Sequence, residues 1–477
     1  MSLSCTTDAQ GDSVCTFPDS TEVSCSEDEG GTVTCSIEPD ANLLTTFETV
    51  LGSDLLPSAE MARVLSDICP SRRSDSDLQG DCDTLIGLIN SSAAEDNAIA
   101  LRILEQISPT FASVSFDLAI GGANAQDQNV QSRLQKLRGK NGGTDDAVMV
   151  SNLAGLLAVN HFAAGSSSTH DLPPATGGAA GEDSNMADSY SKVGGFVNAT
   201  ILSAEKDPTD FELGSDTDTV AFTAGVDYQL STDYVLGLAL GFTSSEAEIN
   251  SNNGLFEVEG YTMTFYGSYY PTDSIYIDYT ISYAGNDYDQ SRDIVYTGVN
   301  QTASATYTGS LTTYSIGSGY LWQRNALSVD GFAQLIGLTA KVNSYEEIMS
   351  NQGAAGAGWA LALDGQELTS LTLHLGGQVN YVFDQSWGIV TPLARIEFVS
   401  ELDDDPRLVT GRFVGDIGDR VAFSVETDEV DSSYANVGVG VSAILTGGKS
   451  FYAYYQSTVG YEDVTQSQFN LGGRMEF

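Results

Sequence analysis

Positive charge is what this sequence most lacks. Its 477 residues carry 19 Lys and Arg against 65 Asp and Glu, a formal net charge of −46. A chain so acidic repels phosphate backbones, which excludes nucleic acid as a partner. Long apolar runs are missing as well. No stretch reaches the ~18 uninterrupted apolar residues of a spanning helix, so a helical membrane protein is excluded. Membrane β-barrels stay open, because their strands alternate and never raise the hydropathy average. Wholesale disorder is also out, with 41% of residues hydrophobic and only 18% charged. The opening Met1-Ser2-Leu3-Ser4 lacks the charged and apolar regions of a secretory signal. We expect a mature form or a natural chain that begins earlier.

Cysteine is absent after position 82, and tyrosine and tryptophan are absent before Tyr190. So clean a partition means two regions that solve different folding problems. The first 62 residues hold no Lys or Arg and 12 Asp or Glu, so this end is solvated and self-repelling.

Cys5, Cys15, Cys25 and Cys35 recur every ten residues. Ser13-Val14-Cys15, Val23-Ser24-Cys25 and Val33-Thr34-Cys35 are short β-favouring stubs, with turn formers such as Gly11-Asp12, Pro18-Asp19 and Gly30-Gly31 between them. The pattern predicts small β-arcs or hairpins stapled by disulfides, because the apolar content is too low to hold structure alone. Zinc fits less well, since nine-residue gaps are not the close cysteine pairs that place two thiolates on one metal. Three pairings among four cysteines remain open.

Residues 41–138 change to helical periodicity. Leu43, Leu44, Phe47, Val50 and Leu51 share one face, and Leu85, Ile86, Leu88 and Ile89 follow Cys82. Cys69-Pro70 ends one segment and Cys82 opens the next, so one bridge would tie a helical hairpin across the polar Ser71–Gly80 stretch. Gly165–Gly181, rich in Ser, Gly, Ala and Pro, reads as a flexible connector.

From Gly194 the period becomes two. Leu236, Leu238, Leu240 and Phe242 alternate with Val235, Gly237, Ala239 and Gly241; Ile275, Ile277, Tyr279, Ile281 and Tyr283 alternate with Tyr276, Asp278, Thr280 and Ser282. One greasy and one polar face suit strands with lipid outside and a wet lumen inside. Tyrosine and tryptophan gather near segment ends, as at Tyr269-Tyr270 and Tyr320-Leu321-Trp322, like interfacial girdles. Twelve segments are expected, near 195–204, 217–230, 233–246, 256–270, 274–287, 305–323, 327–341, 365–383, 388–401, 433–445, 449–460 and 467–477. A soluble β-sandwich alternates too, but it does not call for twelve long segments with aromatic ends.

The last strand, Phe469-Asn-Leu471-Gly-Gly473-Arg-Met475-Glu-Phe477, alternates and ends on Phe. Here the sequence resembles the translocator domain of autotransporters, the type V secretion proteins of Gram-negative bacteria. Ala224-Gly225-Val226-Asp227-Tyr228, Phe265 to Tyr270, and Pro392 to Glu401 continue that resemblance over 194–477. It implies an insertion signal in Phe469, Leu471, Gly473, Met475 and Phe477, read by the barrel-assembly machinery. It also implies outer-membrane lipid as the surroundings and an extracellular passenger. Leu104 to Pro109 and Val130 to Arg138 resemble the helix that such proteins thread through the barrel, and Cys69 with Cys82 resembles a helical junction before it. Asn129, Arg133 and Arg138 would face the lumen, the arginines meeting inward carboxylates. Parity alone offers Asp278, Asp330 and Glu397. Some members cut themselves by cyclisation of an Asn in an Asn-Asn pair. Gln128-Asn129 stands at that place, so the passenger is expected to stay attached.

The expected plan is a mainly β chain, a 12-stranded antiparallel transmembrane barrel around an α-helix, after a small disulfide-rich and helical front. Its parts are a cysteine-rich β-repeat passenger at 1–40, a helical hairpin with a disulfide at 41–95, the pore segment at 96–138, a linker at 139–193 and the barrel at 194–477. The first functional reading is translocation and display of the chain's own passenger. A surface adhesin or self-associating surface component, and more remotely a plugged porin-like channel, are the alternatives. No catalysis and no cofactor are expected. Gly11-Asp12-Ser13-Val14 resembles a hydrolase nucleophile block, but none of His161, His170 and His374 stands in the context that block needs, so Ser13 reads as a turn residue. Asp207, Asp210, Glu212, Asp216 and Asp218 could gather calcium, but their spacing is not that of a calcium loop and a solvated loop is the simpler reading.

Overall fold

The computed structural model describes residues 4–7, 13–16, 22–27, 33–36, 41–51, 56–70, 75–138 and 193–474, apart from 92, 210, 250–253, 404–406, 418–421, 430 and 446–448. Four short strands at Ser4–Thr7, Ser13–Thr16, Glu22–Glu27 and Val33–Ser36 form an antiparallel meander. Ser13 therefore opens a strand and does not sit in a turn. Five helices follow: α1 (Ala41–Leu51), α2 (Leu56–Ile68), α3 (Ser76–Ile89), α4 (Ala94–Ile107) and α5 (Val114–Arg138), with a 3-10 turn at Pro109–Ser113 before the last.

Cys69 and Cys82 are bridged, with Cα atoms 5.3 Å apart. The expected loop between them is shorter than its polarity suggested. Asp75 accepts hydrogen bonds from the Asp77 and Leu78 amides, so its carboxylate caps α3 at Ser76. Cys82 thus lies inside α3 instead of opening it. The hairpin is also larger than expected. Buried Phe47, Met61, Leu65, Leu85, Ile103 and Leu104 pack α1 to α4 into one apolar cluster.

The barrel has the twelve expected strands. They are β1 (Val193–Lys206), β2 (Ser215–Gln229), β3 (Tyr234–Ile249), β4 (Gly254–Thr272), β5 (Ile275–Tyr296), β6 (Val299–Arg324), β7 (Leu327–Val342), β8 (Gln366–Tyr381), β9 (Gly388–Glu401), β10 (Ser433–Leu445), β11 (Lys449–Val459) and β12 (Val464–Arg474). Each pairs antiparallel with its successor, and β12 closes on β1, with Phe469 opposite Ile201. Closure satisfies every wall strand on both sides, which an open sheet in lipid cannot do.

Outward positions carry Leu240, Met263, Ile281, Ile316, Phe398 and Val439, all exposed. Inward positions carry polar side chains such as Asn198, Thr200, Thr223, Asp227 and Gln456, all buried. Tyr234 stacks on Tyr269 at 4.4 Å, and Phe242 meets Tyr261 at 5.3 Å. The eight steps from Tyr234 to Phe242, at roughly 3.3 Å each, cover about 26 Å along the strand. At the strand tilt of about 35–45° this is roughly 18–21 Å of height, most of the outward apolar band of about 25 Å in such barrels.

Turns such as 230–233, 273–274 and 325–326 are tight, and β1 starts and β12 ends at that same end. The opposite end carries the longer connections. Between β7 and β8, and between β9 and β10, short strands at Tyr345–Glu346, Leu361–Leu363, Leu408–Phe413 and Phe423–Glu426 form a separate four-stranded sheet. The α1–α4 cluster is continuous with this loop end through Trp359, Phe413 and Phe423.

Candidate functional site

α5 runs inside the barrel, and its polar side chains bind the inner wall. The Gln126 side-chain amide donates to the carbonyls of Phe222 (3.2 Å) and Phe242 (3.0 Å) and to Thr243 Oγ1 (3.0 Å). Thr223 Oγ1 donates to Gln126 Oε1 at 2.5 Å. Gly241 makes that approach possible, since a Cβ there would overlap the Gln126 amide. Three residues on, Asn129 Nδ2 donates to Thr223 Oγ1 at 2.9 Å. Thr200 Oγ1 donates to Asn129 Oδ1 at 3.0 Å, and Asn198 Nδ2 donates to the Asn129 carbonyl at 2.8 Å. One turn further, Arg133 forms a bidentate pair with Asp227 at 2.7 and 2.9 Å. Tyr266 adds a hydroxyl donor to the same carboxylate at 3.3 Å. Val130, Leu134 and Leu137 pack beside these groups on Phe196, Val235 and Tyr266.

The wall supplies what a helix in a polar tunnel needs: hydrogen-bond partners on β1, β2 and β3 and one desolvated counter-charge. The carboxylate is not one that parity suggested. Asp278, Asp330 and Glu397 do face inward and are buried, but each serves another group. Ser268 donates to Asp278, Tyr276 donates to Asp330 at 3.1 Å, and Glu397 binds Arg395 and His374. Parity fixes the face of a strand residue but not its height against the helix, and only Asp227 lies level with Arg133.

A second junction sits at the loop-side mouth. Arg292, at an inward position near the end of β5, pairs with Glu347 at 2.8 and 2.7 Å. It also donates to the Gln106 carbonyl (2.7 Å), at the C-terminal end of α4, and to the Trp359 carbonyl (2.9 Å). A cation at a helix C-terminus is favoured by the unpaired carbonyls there. Glu347 takes a further bond from the Leu361 amide at 2.8 Å. The Gln106 side chain completes the join: its Oε1 accepts from the Val295 amide at 3.0 Å, next to the end of β5. Asp81 on α3 accepts from the Gly356 (2.6 Å) and Gly358 (2.8 Å) amides. Burial pushes the Asp81 carboxyl above the usual aspartate range in spite of those donors.

Among the residues singled out from sequence, Asn129 and Arg133 lie in the lumen at the wall. Arg138 ends α5, but its side chain falls outside the described residues. Phe469 and Leu471 point outward and are exposed. Gly473 belongs to β12, whereas Met475 and Phe477 fall outside the described residues. In the front meander, Cys5 stands opposite Cys15, and Cys25 opposite Cys35. In the acidic loop, Asp210 is outside the described residues, and Asp216 and Asp218 are exposed on β2. Glu212 departs from the solvated-loop reading: it is buried and paired with Lys206.

Sequence reasoning missed Asp227, Arg292 and Glu347. Scarcity could have flagged the arginine: with only 19 basic residues, one at an inward strand position needs a buried partner.

A family model described as the autotransporter β-domain matches residues 195–456, more than half of the 477-residue chain. No curated protein matches the sequence. The structure is similar to the translocator domain of the autotransporter NalP from Neisseria meningitidis, at 14% identity and a TM-score of 0.46, over 60% of this chain and 89% of that one. It is similar to the β-domain of the Bordetella autotransporter BrkA, at 19% identity and 0.42, over 59% and 99%. It is also similar to the transport unit of AIDA-I from Escherichia coli, at 11% and 0.42, over 61% and 93%.

Proposed function

The chain belongs to the autotransporter family, whose β-domains are outer-membrane translocators and not enzymes, and from that premise we propose that it carries its own short N-terminal segment through the outer membrane and displays it outside. The observation that carries this reading is the direction of α5. Its C-terminal half, around Arg133, lies by Asp227 near the tight-turn end, where β1 begins. Its first turn lies by the loop end, where Ser115 bonds Tyr307 at 2.7 Å. Everything upstream of Val114 therefore continues from the loop side of the barrel.

The mechanism follows in steps. The outward Phe469 and Leu471 of β12 bring the chain to the barrel-assembly machinery. The sheet closes around the passing chain, with lipid against its apolar belt. The helix then settles on β1–β3, where Gln126, Asn129 and Arg133 find partners that an empty lumen would leave unpaired. The passenger stays attached: Gln128 stands where self-cleaving members have Asn, and the Asn129 amide nitrogen is engaged by Thr223.

An epitope tag placed before Cys5 tests this in intact cells. We expect antibody and protease to reach the tag on whole cells, with tag and barrel in one polypeptide of full mass. Digestion only after the outer membrane is permeabilised would refute display. A barrel-sized fragment lacking the tag would refute permanent attachment.

A further inference from the structure

We propose that the barrier against leakage is the apolar cap on the loop-side mouth, keyed by Arg292 and Glu347, and that α5 fills the lumen without sealing it. The helix makes most of its polar bonds to one side, although Ser115 also bonds Tyr307 of β6 and Ser132 bonds Tyr452 of β11. Gln126, Asn129 and Arg133 bind β1–β3, and at 3.6 residues per turn Asn124, Gln128 and Gln135 fall on the face turned away from them. Asn124 is exposed although it lies within the barrel, and Gln128 and Gln135 are half-buried. The wall beyond is polar at its inward positions, with Gln378, Thr391, Arg395, Glu397 and Ser442. Asn124 reaches solvent inside the barrel and the wall across from it is polar, so this face holds water and does not exclude it.

The mouth is the opposite. Phe111 of the 3-10 turn meets Phe256 of β4 at 6.1 Å, Trp359 meets Phe413 at 5.9 Å, and Phe413 meets Phe423 at 6.3 Å. All five are buried to within 1% exposure. These aromatic residues come from the helical front, the wall and both long connections, so the plate exists only while those parts stay docked. Arg292 and Glu347 tie the wall, the helical front and the β7–β8 connection with charge-assisted bonds beneath the plate. Hydrophobic constrictions block ions because water leaves them. That property belongs to the cap and is missing from the polar face of α5. The proposal needs a membrane-spanning barrel but not a displayed passenger, so an unexposed tag would leave it standing.

Full-length protein in planar bilayers decides the matter. Glu347→Ala leaves the Arg292 charge buried without its partner and undocks the cap; conductance should rise roughly tenfold or more, as expected when a hydrophobic gate is opened. The barrel itself should keep its heat-modifiable migration. Gln126→Ala with Asn129→Ala loosens the helix and should leave the bilayer nearly silent. Trp359→Ala serves as the second cap variant if Glu347→Ala fails to fold. A separate readout is Asn124→Cys, which should react with a water-soluble maleimide from the tight-turn side and not from the loop side. Leakage from the helix variant with a silent cap variant would overturn the proposal, as would an Asn124→Cys thiol unreactive from both sides.

Discussion

Arg133 and Asp227 face each other across the lumen wall as a two-pronged pair at 2.7 and 2.9 Å, with 1% and 5% of their side chains exposed. The pair ties the C-terminal half of the pore helix to the second barrel strand. Truncating one partner strands a buried charge, which costs about 3–5 kcal/mol. Asp227→Ala should therefore lower the thermal unfolding midpoint of the barrel in detergent. Arg133→Met with Asp227→Leu should recover much of the loss, because two apolar groups leave no charge uncompensated. Equal losses in the single and the double variant would show that the pair is not what holds the helix.

Lipid contact is tested at Leu240, which is 63% exposed at the middle of the apolar face of β3. Leu240→Arg should destabilise the barrel by about 2–4 kcal/mol if the site lies near the bilayer centre. Leu240→Cys should resist water-soluble maleimide in intact membranes, and ready labelling there would put this face in water.

The cysteines make a third case. The Cys69–Cys82 bridge spans 13 residues, and closing a loop of that size stabilises by about 3 kcal/mol in the chain-entropy picture. Cys69→Ala with Cys82→Ala should loosen α2 from α3, seen as faster hydrogen exchange in both helices. Opposed positions of an antiparallel pair have Cα atoms about 4.5–5.5 Å apart, within disulfide reach. The register therefore selects Cys5–Cys15 and Cys25–Cys35 among the possible pairings. Peptide mapping that finds a Cys15–Cys25 link would refute it.

Above the apolar belt, carboxylates stand opposite one another on exposed positions: Asp216 with Glu248, Asp218 with Glu246, Glu246 with Glu257, and Glu257 with Asp289. Opposed like charges destabilise a sheet by roughly 0.2–1 kcal/mol per pair, and salt screens them. Barrel stability should rise with ionic strength, and Glu257→Lys should raise it at low salt while flattening that dependence. A midpoint indifferent to salt in the wild type would count against the band.

The barrel was legible in the sequence because its cause is local. A strand with lipid on one side and water on the other must alternate, so each of the twelve strands carries its own signature in its own residues. The polar pore helix was legible for the same reason, since 120–138 lack a broad apolar stripe. What holds that helix was not. Asp278, Asp330, Glu397 and Asp227 have the same parity, and choosing among them depends on strand stagger and helix height, which no single segment encodes. The cap lay further out of reach. Arg292, Glu347, Gln106 and Trp359 come from three separate stretches of chain, and their bonds exist only because barrel closure brings those stretches to one mouth. The sequence by itself determined which faces meet lipid, water and lumen, because hydropathy acts residue by residue. Only the tertiary structure decided which charges meet, because pairing is a matter of distance after the chain has closed.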